Sequence, residues 1–143
     1  MTAVDTNVLV YAEVRSTPQH RRAVEVLARL AGGEAPWAIP WPCLYEFLRV
    51  VTHPRVFDPP VPPEVARADL RAILGSPSLL LLSETDRHPA ILEEVLRESG
   101  ASGNLVQDAH IAALCREHGV RQLLTADADF ARFRGFEVAN PFA

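Results

Sequence analysis

Four carboxylates stand where a divalent cation could be gathered: Asp5 just after an apolar entry, Glu46 within a helical pattern, Asp108 on a helix's apolar stripe, and Asp127 after a late strand-like run. A donor set made only of oxygen suits Mg²⁺ and Mn²⁺, which use a few carboxylates together with water and substrate phosphate. The chemistry such a set would run is metal-assisted hydrolysis of a phosphodiester. Each residue also has an ordinary structural reading. Glu46 can pair with Arg49 three residues on, an interaction of about 0.2–0.5 kcal/mol on a helix surface. Asp127, or its neighbour Asp129, can cap a short helix over 128–133. Asp108 is harder to explain away, because it is in register with Leu105, Ile111, Ala112 and Cys115 on the stripe expected to face the core. A carboxylate there is costly unless paired, hydrogen-bonded or bound to metal.

These residues need elements to position them. Ala3 and Val4 read as a short buried strand, and Asp5 emerges at its carboxyl end, the edge where open α/β sheets build their sites. Thr6 or Asn7 could cap a helix over 8–12. A helix from Thr17-Pro18 carries Ala23, Leu27 and Leu30 on one face and stops at Gly32 and Gly33. Trp37, Ala38 and Ile39 form a second strand, which Pro36, Pro40 and Pro42 keep short and place near a sheet edge. Leu44, Phe47, Leu48 and Val51 then recur at helical spacing, with Glu46 in mid-helix and an end near His53-Pro54.

The proline-rich run RVFDPPVPP reads as an ordered, semi-rigid connection. After it come a helix with Ala66, Leu70 and Ile73 buried, closed by Gly75, and a continuous apolar strand over 79–82. Pro89 starts a helix with Leu92, Val95 and Leu96 inward, ending at Gly100. The segment SGNLVQDAHIAALCREHG is the next helix, from a cap near 102–104 to Gly119. Strands over 120–124 and 136–138 complete the chain. The alternation predicts an α/β fold, a three-layer α/β/α sandwich on a mostly parallel sheet of four to five strands, with right-handed crossovers.

Composition narrows the function further. The 143 residues suit one domain, spanning 1–143, with a core large enough to need no staples. A net charge of −4 argues against a protein that coats duplexes, yet it fits a nuclease whose acidic residues hold cations. All 14 basic residues are arginine, which excludes P-loop and Schiff-base chemistry. Cys43 and Cys115 have no zinc or disulfide spacing and read as buried thiols of a reducing cytosol. His110 and His118 lack a nucleophile or metal spacing and read as structural or surface residues, His118 suiting a helix C-terminus. With no long apolar run and no charged, hydrophobic leader, a cytoplasmic protein without a membrane span is expected.

The blocks VDTNVLVYA, PCLYEFLRVVTHPRVF, GNLVQDAHIAALCREHGV and LLTADADFARF with FEVANPF resemble, in order and spacing, the PIN-domain family, and within it the VapC toxins of toxin–antitoxin modules. The resemblance covers nearly the whole chain. It implies a Mg²⁺- or Mn²⁺-dependent endoribonuclease toxin that cuts structured RNA, is inhibited by a cognate antitoxin and forms a homodimer. By motif position the acidic quartet is Asp5, Glu46, Asp108 and Asp127, with Asp129 in reserve for the fourth place. Asp5 and Asp108 would hold the main metal, Asp127 would contribute directly or through water, and Glu46 would position water or a second metal. Asn7, Asn104 and Thr125 match supporting polar positions, and arginines at the rim would meet RNA phosphates. A phosphatase of the haloacid dehalogenase type wants a second aspartate where Asn7 stands, and both it and a receiver domain want a lysine. A non-catalytic PIN-like binding module would require a broken quartet.

Overall fold

The opening strand occupies the middle of the sheet, and its composition explains why. In the computed structural model, which describes residues 1–143, β1 (Thr2–Val4) has parallel neighbours on both sides, β2 (Trp37–Pro40) and β4 (Gln122–Leu124). Ala3 and Val4 are wholly buried, as befits a strand with helices over both faces and no side left for water. β3 (Leu79–Leu82) lies outside β2 and β5 (Glu137–Ala139) outside β4, so the order is β3-β2-β1-β4-β5 and every pairing is parallel.

Helices flank this sheet in the three-layer arrangement expected. α1 (Thr6–Glu13) packs against α2 (His20–Gly32) and α3 (Trp41–Val51), and α3 against α4 (Pro63–Leu74). α5 (His88–Ser99) packs against α6 (Leu105–Glu117). Gly100, at φ 64°, ends α5 in the left-handed turn that a Cβ would strain. Leu44, Phe47 and Val51 form the buried stripe of α3, and α6 is buried almost all round from Ala109 to Cys115. No helix is long and apolar enough to cross a membrane.

One expectation about strands needs refining and another correcting. β2 lies next to the edge strand, near an edge as expected, but it is paired on both sides and all four of its residues are buried. The prolines act as punctuation: Pro40 is the last residue of β2 and Pro42 falls in the first turn of α3, where a missing N–H costs no helical hydrogen bond. The edge position instead goes to β3, whose apolar run looked fully buried yet leaves Leu80 47% exposed.

Strand and helix also follow each other without slack. One residue, Asp5, separates β1 from α1, and none separates β2 from α3. Short connections of this kind fix where the first turn of each helix lies relative to the carboxyl edge of the sheet, and Asp5, Asn7 and Thr125 meet at that edge.

Candidate active site

Asp5 is tied into the sheet before its side chain does anything. Its amide donates to the Leu124 carbonyl at 3.0 Å, continuing the β1–β4 ladder one residue past the strand. The carboxylate is 5% exposed and is bonded at both oxygens. Oδ1 accepts from the Thr6 amide at 2.7 Å and from the Cys43 thiol at 3.5 Å. Oδ2 accepts from the Thr125 hydroxyl at 2.8 Å and from the Asn7 amide at 3.2 Å. Asp5 is therefore itself the N-cap of α1, a role expected of Thr6 or Asn7. One carboxylate serves as cap and as site residue.

Asn7 and Thr125 lock the two strand ends together. Asn7 Nδ2 also donates to Thr125 Oγ1 at 3.0 Å, while its Oδ1 accepts from the Ala126 amide at 3.0 Å. Thr125, 1% exposed, accepts from the Asp127 amide at 3.0 Å. Every polar atom of these two side chains has a partner, so Asp5 is held in one orientation by groups that are themselves fixed.

Asp127 follows two residues after Thr125 and caps the 3₁₀ turn Ala128–Arg132, its Oδ1 accepting from the Asp129 amide at 2.8 Å. Asp108 meets it from the other side. Asp108, Asp127 and Asp129 can each offer one carboxylate oxygen with all three atoms within 4.8 Å of one another. Asp108 thus differs from the expectation of a core-facing acid. It is half-buried, because the second turn of α6 borders the cleft while the turns after it enter the core.

Crowding of like charge shows in the ionisation of these groups. Burial pushes the Asp108 carboxyl up to about 6, helped by the charges of Asp127, Asp5 and Asp129 and opposed by Arg132. Asp5 is likewise raised, first by burial and further by Asp127, although the bonds from Thr125, Thr6 and Cys43 all favour its charged form. Cys43 itself is driven well above the ordinary thiol range by burial and by the adjacent Asp5 charge, so it remains a donor.

A cleft of about 750 Å³ opens over this group, lined by Asp5, Asn7, Glu46, Asn104 and Asp108 among others. Asp127 and Asp129 lie outside its lining. Glu46 reaches the cleft from α3 while also pairing with Arg49 at 3.0 and 2.5 Å, so the ordinary reading of that glutamate and the cleft position hold together. Asn104 borders the cleft and precedes α6 without a side-chain capping bond. Cys43 and Arg49 were missed as site residues. The signal was present, because both lie three residues from Glu46 along α3 and so share its side of the helix.

The donor set fits a hard divalent cation: oxygen atoms only, the carboxylates of Asp5, Asp108, Asp127 and Asp129 without a basic side chain bonded to them, and raised pKa values at Asp5 and Asp108 that a cation would lower.

Comparison with known proteins bears on the family and the fold. A family model described as PIN domain matches residues 2–135. Ribonuclease VapC48 of Mycobacterium tuberculosis is 34% identical over 139 residues, covering 97% of this chain and 96% of that protein. Ribonuclease VapC43 of the same organism is 37% identical over 141 residues, covering 99% and 95%. Among solved structures, a VapBC2 complex from Rickettsia felis bound to a promoter DNA fragment superposes with a TM-score of 0.67 at 21% identity, covering 97% of each chain. A Mycobacterium tuberculosis VapC20 structure, described as a sarcin–ricin loop cleaving toxin, gives 0.66 at 17% identity, covering 94% of this chain and 98% of that one. These two similarities concern the fold.

Proposed function

The chain belongs to the PIN-domain family, and from that premise we propose that it is an endoribonuclease toxin of a toxin–antitoxin module whose acidic cleft hydrolyses RNA phosphodiester bonds with Mg²⁺ or Mn²⁺. The observation that carries this reading is the gathering of Asp108 and Asp127, with Asp129, from separate elements to within 4.8 Å of one another, close enough to Asp5 that its charge helps raise the pKa of Asp108. Relatives at 34 and 37% identity over almost the full chain are named ribonucleases.

Asp5 and Asp108 would hold the cation, with Asp127 contributing directly or through water and Asp129 standing beside it. When bound, the cation supplies Lewis-acid stabilisation of the charge growing on the phosphoryl oxygens and makes a water acidic enough to attack near neutral pH. The chain's own groups do the rest. Thr125 and Asn7 hold Asp5 Oδ2, and the Thr6 amide and Cys43 thiol hold Oδ1, so the ligand does not reorganise. Glu46, fixed by its paired bonds to Arg49, orients the attacking water from the α3 side of the cleft. Arg49 at the cleft and Arg132 near Asp108 offer planar donors for phosphate oxygens, the role that lysine would share in another sequence.

Structured RNA is the proposed substrate class, and residues 1–143 are proposed to act as one PIN-like unit in the cytoplasm, as a homodimer. A cognate antitoxin is the proposed partner, by analogy with the VapBC complexes whose toxin subunits share the fold. Purified chain incubated with total RNA and Mg²⁺ should produce discrete cleavage products. Chelation should abolish them and added Mg²⁺ or Mn²⁺ restore them; cleavage that persists in chelator overturns the metal assignment.

A further inference from the structure

A second group of ligand atoms lies farther along α6, on side chains that the nuclease reading does not use. The connection after β3 folds back along this helix. Ser83 is held by its carbonyl to His118 Nε2 at 2.7 Å, and Arg87 bonds the Glu117 carbonyl. This return brings Glu84 and His88 to His110. Glu84, His88 and His110 can each offer one ligand atom, with all three atoms within 4.8 Å of one another, and the two imidazole rings meet edge to face at 5.5 Å. We propose that Glu84, His88 and His110 form a second cation site, selective for a borderline transition ion of the zinc class over Mg²⁺.

Four observations support the site. The donor set is two imidazole nitrogens and one carboxylate, which favours zinc-class ions, whereas the nuclease cleft offers oxygen alone. Next, His88 is oriented from behind. The Glu117 carboxylate, 4% exposed, accepts from the Thr85 amide at 2.9 Å and the Thr85 hydroxyl at 2.8 Å through Oε1. Its Oε2 takes His88 Nδ1 at 2.6 Å. With Nδ1–H committed to a buried carboxylate, His88 keeps Nε2 as its ligand nitrogen, the carboxylate–histidine pairing that supports metal-bound imidazoles.

The third observation is spacing. His110 Nε2 and Glu84 Oε1 stand 2.7 Å apart, and two ligands about 2.0–2.1 Å from a tetrahedral ion would be about 3.3 Å apart. Binding therefore asks for an opening of about half an ångström, within reach of Glu84, whose side chain is 51% exposed. Finally, an ion has a way in. Glu84 and His110 line a groove of about 690 Å³, shared with the exposed aromatic Tyr45 and continuous with the nuclease cleft through Glu46 and Arg49. Three protein ligands would leave a fourth position for water, and two of them, Glu84 and His110, border that groove.

The test is titration of the full chain with Zn²⁺, and in parallel with Co²⁺ followed by its visible absorption, in excess Mg²⁺ to occupy the oxygen-only cleft. One tight equivalent per chain is expected. Glu84→Gln and His110→Gln should each weaken it at least about tenfold, with folding confirmed by circular dichroism, while Asp5→Asn should leave it unchanged. Zn²⁺ that fails to bind, is displaced by Mg²⁺, survives both Glu84→Gln and His110→Gln, or is lost with Asp5→Asn overturns the proposal. Because the readout is ion binding, it stands whether or not the chain cleaves RNA.

Discussion

Two clusters of ionisable side chains share α6, and they handle crowded charge in opposite ways. Near the start of the helix, burial and then the charges of Asp127, Asp5 and Asp129 push the Asp108 carboxyl up to about 6, with only Arg132 pulling appreciably the other way. At the other end, burial opposes the charge of Glu117 too, but His88 and two bonds from Thr85 outweigh it and hold its carboxyl below the ordinary value. Glu84 is also held down, by its own amide and by His110. The first cluster is strained without a cation and the second is internally compensated. Two cation-binding candidates on one helix can thus treat their carboxylates differently, and what separates them is whether the protein itself supplies a compensating partner.

The comparison breaks most readily at the cleft ligands. Asp108→Asn or Asp5→Asn should lower RNA cleavage by about 10³-fold, the scale expected when several kcal/mol of transition-state stabilisation are lost. Circular dichroism should show the fold retained, and cleavage within a few fold of the parent would remove the residue from the site. Thr125→Val strips Asp5 of one donor and Asn7 of one acceptor. Its effect belongs to a positioning residue, about 10–100-fold in cation affinity, measured as the Mg²⁺ concentration for half-maximal cleavage. A Mg²⁺ requirement identical to the parent's would show that the hydroxyl is a packing feature.

Stability against pH sharpens the contrast. Asp5 and Asp108 have folded pKa values above their ordinary ones, as does Glu13, raised to about 7 by burial and then by Asp69. A raised acid binds more protons in the folded state, so its contribution is greatest below the unfolded value and is lost as pH rises through the folded one. Without cations the chain should therefore lose stability between about pH 4 and 7. Mg²⁺ should restore part of it at pH 7.5 and little at pH 5, about 2–4 °C in Tm for each kcal/mol regained. The remainder belongs to Glu13, outside the cleft, and Glu13→Gln should remove it. A Tm that is flat over this range, or equally sensitive to Mg²⁺ at both pH values, contradicts the account. The compensated cluster gives the smallest effect. Glu117→Gln should cost about 1–3 kcal/mol in denaturant unfolding through its lost bonds and leave cleavage close to the parent rate.

Much of the site was legible because strand ends are punctuated. Asp5 and Asp127 each follow a short apolar run, and the structure places them beside each other's strands. Asp108 was legible as an acid out of place on an apolar stripe, though its exposure to the cleft was not. Two features were only partly legible. Prolines around β2 marked its nearness to an edge, but not that they punctuate the junction of a strand paired on both sides with α3. The histidines showed no metal spacing because Glu84, His88 and His110 come from a loop and two helices, and their proximity arises only when that loop lies back along α6.

By itself the sequence determined the α/β alternation, the all-arginine basic set and the out-of-place position of Asp108, since periodicity and residue type are local properties of a chain. The tertiary structure alone decided which strands were interior, that Asp5 caps α1 while serving the site, that Cys43 and Thr125 hold its carboxylate, and that one helix carries both a strained and a compensated cluster. These depend on distances between residues up to 120 positions apart, as with Thr125 and Asp5. Such distances are fixed by the packing of sheet and helices and leave no spacing in the sequence.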